Sequence, residues 1–175
     1  MSAPVLIAYA TKHGSTAEIA EAIGADLRAM GCEAEVRPVA DVWEVGRYGT
    51  VVVGSAVYHG RWRRDALDFL ARFESDLATR RTWLFSSGPT GGTPESDAKV
   101  GAVLAREAPP PAPADVRRIA ERICAIGHET FGGRVCDGMS GFLERWMPRG
   151  DWRDFDQVRA WARMIGREVS SPIGG

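Results

Sequence analysis

Residues Val5 to Thr16 read VLIAYATKHGST, and this stretch decides the fold. Val5-Leu6-Ile7-Ala8-Tyr9 is apolar without alternation, the mark of a strand buried on both faces of a parallel sheet. Thr11-Lys12-His13-Gly14-Ser15-Thr16 follows as a polar loop. Beyond it Ile19, Ala20, Ile23, Leu27 and Met30 recur at helical spacing, and Gly31 ends that helix. Ser15 and Glu18 have capping-box spacing, which sets the helix start independently.

The alternation continues outward from this βα unit. Glu33 to Pro38 is expected as the second strand, and Thr50-Val51-Val52-Val53-Gly54 as a central third strand. Ala66, Leu67, Leu70, Phe73 and Leu77 predict one amphipathic helix. Thr82-Trp83-Leu84-Phe85 is the fourth strand, ending in the small-residue loop Ser86 to Gly92. Thr93-Pro94 reads as a helix start. Val100, Val103 and Leu104 form that helix's apolar side, and the run Ala108 to Pro113 breaks it. Val116, Ile119, Ala120 and Ile123 restart a helix. His128 to Val135 is the fifth strand, made irregular by Gly132-Gly133. Cys136 to Asp151 reads as a loop segment. Asp154 with Gln157 opens a last helix along Phe155, Val158, Ala162, Ile165 and Val169. Five strands alternating with helices give a doubly wound α/β sandwich, expected as one domain over 1–170 with a flexible tail at 171–175.

Composition narrows the function classes. The 175 residues carry 22 Lys+Arg and 23 Asp+Glu, a net charge of -1, which argues against a nucleic-acid binder. Residues 1–50 hold 4 cations and 7 anions, and residues 51–175 hold 18 and 16, so the acidity sits at the start. Twenty of the cations are Arg, a bias that a GC-rich genome explains. No apolar run approaches the ~18 residues of a membrane span, and MSAPVLIAYA lacks a basic segment before its apolar stretch. Three cysteines (Cys32, Cys124, Cys136) include no CxxC pair, so a reducing cytoplasm is expected. His13, His59 and His128 have no ligand spacing with them, so no metal site is expected.

An open parallel sheet binds ligands beyond the carboxyl ends of its strands. The loop at the end of the first strand offers three hydroxyls, Thr11, Ser15 and Thr16, and Gly14 for a tight turn. The amides and dipole of the helix start favour an anion at the same spot. This set suits a phosphate monoester held by neutral donors. GxGxxG is absent, and so is GxxxxGK[ST], because Gly14 precedes Ser15-Thr16. A Cys-based phosphatase needs its nucleophile in this loop, but the nearest is Cys32 at the far end of the helix. A receiver domain needs an acceptor Asp after the third strand, where Gly54-Ser55 stands.

VLIAYA, TKHGST and the following helix resemble the start of the flavodoxin-like family, whose T/S-x-T-G-x-T loop holds the FMN phosphate. His13 stands where a hydroxyl residue usually sits, so an imidazole or backbone alone replaces one contact. The resemblance covers nearly the whole chain. It implies a flavodoxin-like strand order 2-1-3-4-5 and three FMN loops. These are Thr11, Lys12, His13, Gly14, Ser15 and Thr16; then Ser55, Ala56, Val57, Tyr58, His59 and Gly60; then Ser87, Gly88, Pro89, Thr90, Gly91 and Gly92. Within the family, GSAVYHGRW and DWRDFDQVRAWAR look most like the menaquinone-dependent protoporphyrinogen oxidase branch, where the segment corresponding to 136–151 is longer. That likeness implies an oxidoreductase acting on a porphyrinogen-type or other anionic substrate with a quinone acceptor. The alternatives are an electron-transfer module serving a partner reductase or oxygenase, and a fold that has lost FMN and acts as an interaction domain.

An isoalloxazine needs an aromatic or aliphatic face and backbone hydrogen bonds. Tyr58 is the first stacking candidate and Trp62 the second, with ordinary packing as the other reading of both. The third loop holds no aromatic, so one ring face is open or covered by Met139 to Met147. Gly88, Gly91 and Gly92 allow backbone amides near the ring edge. His59 reads either as a proton donor near flavin N5 or substrate contact, or as a solvated loop residue. Arg61, Arg63 and Arg64 read either as a solvated face or as a dock for an anionic substrate or redox partner. Gly141 to Met147 reads as a lid, or as an amphipathic contact for a quinone, a membrane surface or a partner. No catalytic acid or nucleophile is assigned. Flavodoxin shuttles are acidic, and the near-balanced charge here points toward an enzyme that meets an anion at its flavin edge.

Overall fold

The computed structural model describes residues 3–58, 60–88, 112–135, 150–151 and 153–171. The chain runs β1 (Val5–Ala10), α1 (Ser15–Ala29), β2 (Ala34–Pro38), a 3-10 turn (Val39–Asp41), β3 (Thr50–Tyr58) and β4 (Arg61–Trp62). It continues through α2 (Arg64–Arg72), α3 (Glu74–Leu77), β5 (Arg81–Gly88), α4 (Ala114–Arg122), β6 (Gly127–Gly132), β7 (Arg134–Val135), β8 (Gly150–Asp151) and α5 (Phe155–Ser170). The five parallel strands lie in the order β2-β1-β3-β5-β6, which is the expected 2-1-3-4-5 once β4 is set aside. The departure is β4, a two-residue strand antiparallel to the end of β3.

Helices cover both faces, so the central strands are buried on both sides. Val5, Leu6, Ile7 and Ala8 have no exposed surface. Leu6, Ala8, Val51, Val53 and Leu84 pack with Ala66, Phe69, Leu70, Leu77 and Val116 from α2, α3 and α4. On the other face Val5, Ile7, Val52, Trp83, Phe85 and Phe131 meet Ile19, Ile23 and Leu27 of α1 and Val158, Trp161 and Ile165 of α5. Each fully buried Val, Leu, Ile or Phe among them contributes ~1.5–3 kcal/mol. Arg153 pairs with Glu18, and Arg163 reaches Asp26 at 3.7 Å, tying α5 to α1 along its length.

Several boundaries differ from the sequence reading, each for a physical reason. β3 does not stop at Gly54. A Cβ at Gly54 would lie 1.9 Å from the Phe85 ring, so this glycine makes room inside the sheet rather than ending the strand. Ser55 to Tyr58 are therefore strand and not loop. Likewise Ser86, Ser87 and Gly88 continue β5, where they pair with Thr130, Phe131 and Gly132. The expected single helix over Ala66 to Leu77 is two, α2 and α3, parted at Phe73, whose ring packs on Phe69 at 5.0 Å. The fifth strand ends at Gly132, and Arg134–Val135 pair with Gly150–Asp151 at the edge of the expected loop segment.

The capping box is not formed. Gly14 takes the N-cap with no side-chain hydrogen bond, and Glu18 turns to Arg153. At the other end of α1, Gly31 (φ 85) and the bond from Cys32 N–H to the Leu27 carbonyl (3.0 Å) close the helix as expected. Asp154 caps α5 through the amides of Asp156 (2.9 Å) and Gln157 (3.1 Å), as its spacing predicts. The expected helix from Thr93-Pro94, most of the run Ala108 to Pro113 and the segment Met139 to Met147 lie outside the described residues.

Candidate functional site

The site forms where β1 hands over to α1. Thr11 Oγ1 accepts the Gly14 N–H at 3.0 Å, which closes the loop into a tight turn. Gly14 sits at φ 87, a left-handed conformation that favours glycine, and a Cβ there would meet nothing within 4 Å. The first intrahelical bond runs from Glu18 N–H to the Gly14 carbonyl at 3.1 Å. The amides ahead of it converge on the mouth of the loop, where the helix dipole is positive.

Two polar atoms at this turn are orphaned. Thr16 has no exposed surface, and its Oγ1 has no hydrogen-bond partner. His13 Nε2 is likewise buried without one. Leaving a buried donor or acceptor unsatisfied costs about 1–3 kcal/mol. Two such atoms three residues apart mark a place built for a polar ligand. Among the described residues only one other buried side-chain polar atom lacks a partner, Trp83 Nε1.

β3 supplies the wall beside this loop. Ala10, the last residue of β1, is level with Ser55, so β3 runs three residues past it and carries Tyr58 above the loop. The His13 and Tyr58 rings lie edge to face, 6.4 Å apart at 67°. Lys12 Nζ stands 5.5 Å from the centre of the Tyr58 ring. The fold thus brings Lys12, His13 and Tyr58, distant in sequence, into one cluster. Gly60 (φ 72) then turns the chain, and Arg61 returns opposite Tyr58 in the β3–β4 pair.

Other predicted positions are placed differently. Ser55 is fully buried and holds the next turn, accepting the Arg63 N–H at 3.1 Å. Ala56 and Val57 lie in β3, with Ser87 beside Ala56 in β5. Trp62 does not present a face to a ligand; it is 4% exposed within the core under α2. The arginine cluster is divided. Arg63 forks onto Asp65 at 2.9 Å and Arg64 stands 3.9 Å from Asp68, while Arg61 is exposed and has no ion-pair partner among the described residues. His59, Pro89, Thr90, Gly91 and Gly92 lie outside the described residues.

The structure also brings together three residues that no local pattern links. Trp62 Nε1 donates to Ser86 Oγ at 2.8 Å, and Ser86 Oγ lies 2.8 Å from His128 Nε2. An indole N–H only donates, so the Ser86 hydroxyl accepts from it and donates onward to a neutral His128. Burial pushes His128 down to about 4. Separations of 24 and 42 residues hide this chain from any sequence spacing. Among the described residues no group of His, Cys, Asp or Glu is arranged to hold a metal ion, and no helix is long and apolar enough to cross a membrane.

A parallel five-stranded sheet with an anion-ready loop at its first βα turn defines a flavodoxin-like class of protein. The family model described as Flavodoxin domain matches residues 6–147, and the chain belongs to that family. Among solved structures, flavodoxin 2 from Bacillus cereus is 21% identical (TM-score 0.62), covering 95% of this chain and 99% of its own. An archaeal flavodoxin is 14% identical (TM-score 0.61), covering 96% and 99%. Rubredoxin oxygen:oxidoreductase from Desulfovibrio gigas is 13% identical (TM-score 0.61) over 96% of this chain, which spans only 37% of that protein. No curated protein sequence matches the chain significantly.

Family membership makes FMN the cofactor. The residues present fit it, because the loop holds two orphaned polar atoms where a phosphate would be received. Thr11 to Thr16 would hold the phosphate and Tyr58 would flank the ring. Bound FMN supplies one- and two-electron redox chemistry, and the protein supplies orientation and electrostatics.

Proposed function

We propose that this protein is an FMN-dependent electron carrier, taking electrons from one redox partner and passing them to another. The observation that carries the reading is the pair of orphaned atoms, His13 Nε2 and Thr16 Oγ1, in the loop after β1. Two further points favour a carrier. The solved structures that share the fold include flavodoxins, and also larger redox proteins of which this chain spans about a third. Arg63, one of the three cations proposed as an anion dock, is engaged by Asp65, and Arg64 has Asp68 one helical turn away. Cys32 and Cys124 are free thiols, which goes with a reducing cytoplasm.

A second reading rests on Arg61. It lies directly across from Tyr58 and is exposed, which places one cation at the proposed flavin edge. On this reading the protein is an oxidoreductase that takes an anionic, porphyrinogen-type substrate and passes its electrons to a quinone.

A potentiometric titration of the FMN-loaded protein, followed by visible absorbance, tests the carrier reading. A carrier shows two resolved one-electron steps. A single two-electron step, together with turnover of an anionic substrate that Arg61→Ala slows about tenfold or more by removing a charge-assisted contact, would replace it with the enzyme reading.

A further inference from the structure

We propose that the His13 imidazole is a direct ligand of the FMN phosphate, its Nε2 donating beside the Thr16 hydroxyl, and that it sets the preference for FMN over riboflavin. The inference rests on the cofactor reading above and deepens it. His13 occupies the place of a hydroxyl in the flavodoxin-like loop, so either the imidazole or the backbone alone must make the missing contact.

The geometry decides for the imidazole. A histidine that merely packed beside Tyr58 would turn its nitrogens to water or to a protein partner. Here Nε2 is buried and has none. Thr16 Oγ1, one helical turn away, is orphaned in the same way on a residue with no exposed surface. Their common environment is the mouth of α1, a helix of 15 residues whose leading amides precede the bond from Glu18 to Gly14. Thr11 Oγ1 accepts the Gly14 N–H, which holds the turn and leaves the Thr11 O–H able to donate to the same ligand.

Charge points the same way. Lys12 stands on the Tyr58 ring beside the loop. The only acidic residue in the first turn of α1 is Glu18, and the guanidinium of Arg153, 4% exposed, pairs with it. The one carboxylate in the first turn of α1 is therefore compensated. A phosphate monoester uses all of these features and a free hydroxyl uses few of them. The imidazole lies edge to face with the Tyr58 ring, which packs against it.

The test uses the full chain, freed of flavin, with FMN and riboflavin as paired probes. His13→Phe keeps a ring against Tyr58 and removes the nitrogen; Thr16→Val keeps the shape and removes the hydroxyl. Each should weaken FMN about tenfold, as losing one charge-assisted hydrogen bond does, and leave riboflavin unchanged. Each apo variant should unfold at a denaturant concentration equal to or above that of the wild type, because an unsatisfied buried group has been removed. His13→Gln, which restores a donor, should recover most of the FMN affinity. Equal losses for FMN and riboflavin, no loss for either, or a lower apo midpoint would overturn the assignment and make His13 a packing residue. A wild type that binds neither flavin would instead overturn the cofactor reading, and this one with it.

Discussion

His128 shows what a single buried side chain does to the pH response of the whole fold. It accepts from Ser86 as a neutral ring, and burial lowers its folded value to about 4 from an ordinary 6.5. The unfolded chain therefore takes up this proton first as the pH falls. The contribution is fully present above about pH 6.5 and is lost progressively toward about pH 4. With a discount for partial exposure, it amounts to about 2 kcal/mol. Urea unfolding between pH 7 and pH 4 should show this loss, and His128→Gln should flatten it. An unchanged slope in the variant would place the acid sensitivity elsewhere. At this scale sequence reading is weakest. Trp62 reads either as a second stacking candidate or as ordinary packing, and only the structure decides: its indole N–H is spent on Ser86 inside the core.

At the scale of elements, the strands and helices were legible because burial writes a period into the sequence. Val5 to Tyr9 announced a strand covered on both faces, and Asp154 with Gln157 announced a capped helix. The ends were less legible, because glycine and serine serve two purposes. Gly54 reads as the end of a strand and Gly88 as a loop glycine, but Gly54 lies under the Phe85 ring and Gly88 lies in β5 against Val57. Such close approaches depend on a neighbouring strand that local sequence does not reveal. Gly54→Ala should therefore destabilise by about 3 kcal/mol or more, as overpacking in a closed core does. Adding Phe85→Leu should recover part of that loss. Denaturant midpoints for the single and double variants check the coupling, and additive losses would show that the ring is not the obstacle.

At the scale of the molecule, the loop after β1 was readable from one stretch, Val5 to Thr16, whereas the sheet order came only with the flavodoxin-like resemblance of the whole chain. A phosphate-ready turn follows from small hydroxylated residues, a glycine and a helix start, all adjacent in sequence. Its wall was not readable in that way. Tyr58 reaches the loop only because β3 outruns β1 by three residues and then turns back at Gly60. Nor was the division of the arginines: Asp65 takes Arg63 at the start of α2, Asp68 stands one helical turn from Arg64, and Arg61 is left at the exposed edge.

The central claim is that this turn receives FMN. Titrating the flavin-free protein into FMN and following flavin fluorescence tests it most directly. The account predicts quenching that saturates at one FMN per chain, with visible flavin absorbance that stays with the protein on gel filtration. Fluorescence that does not change, with FMN eluting entirely in the small-molecule volume, would contradict it.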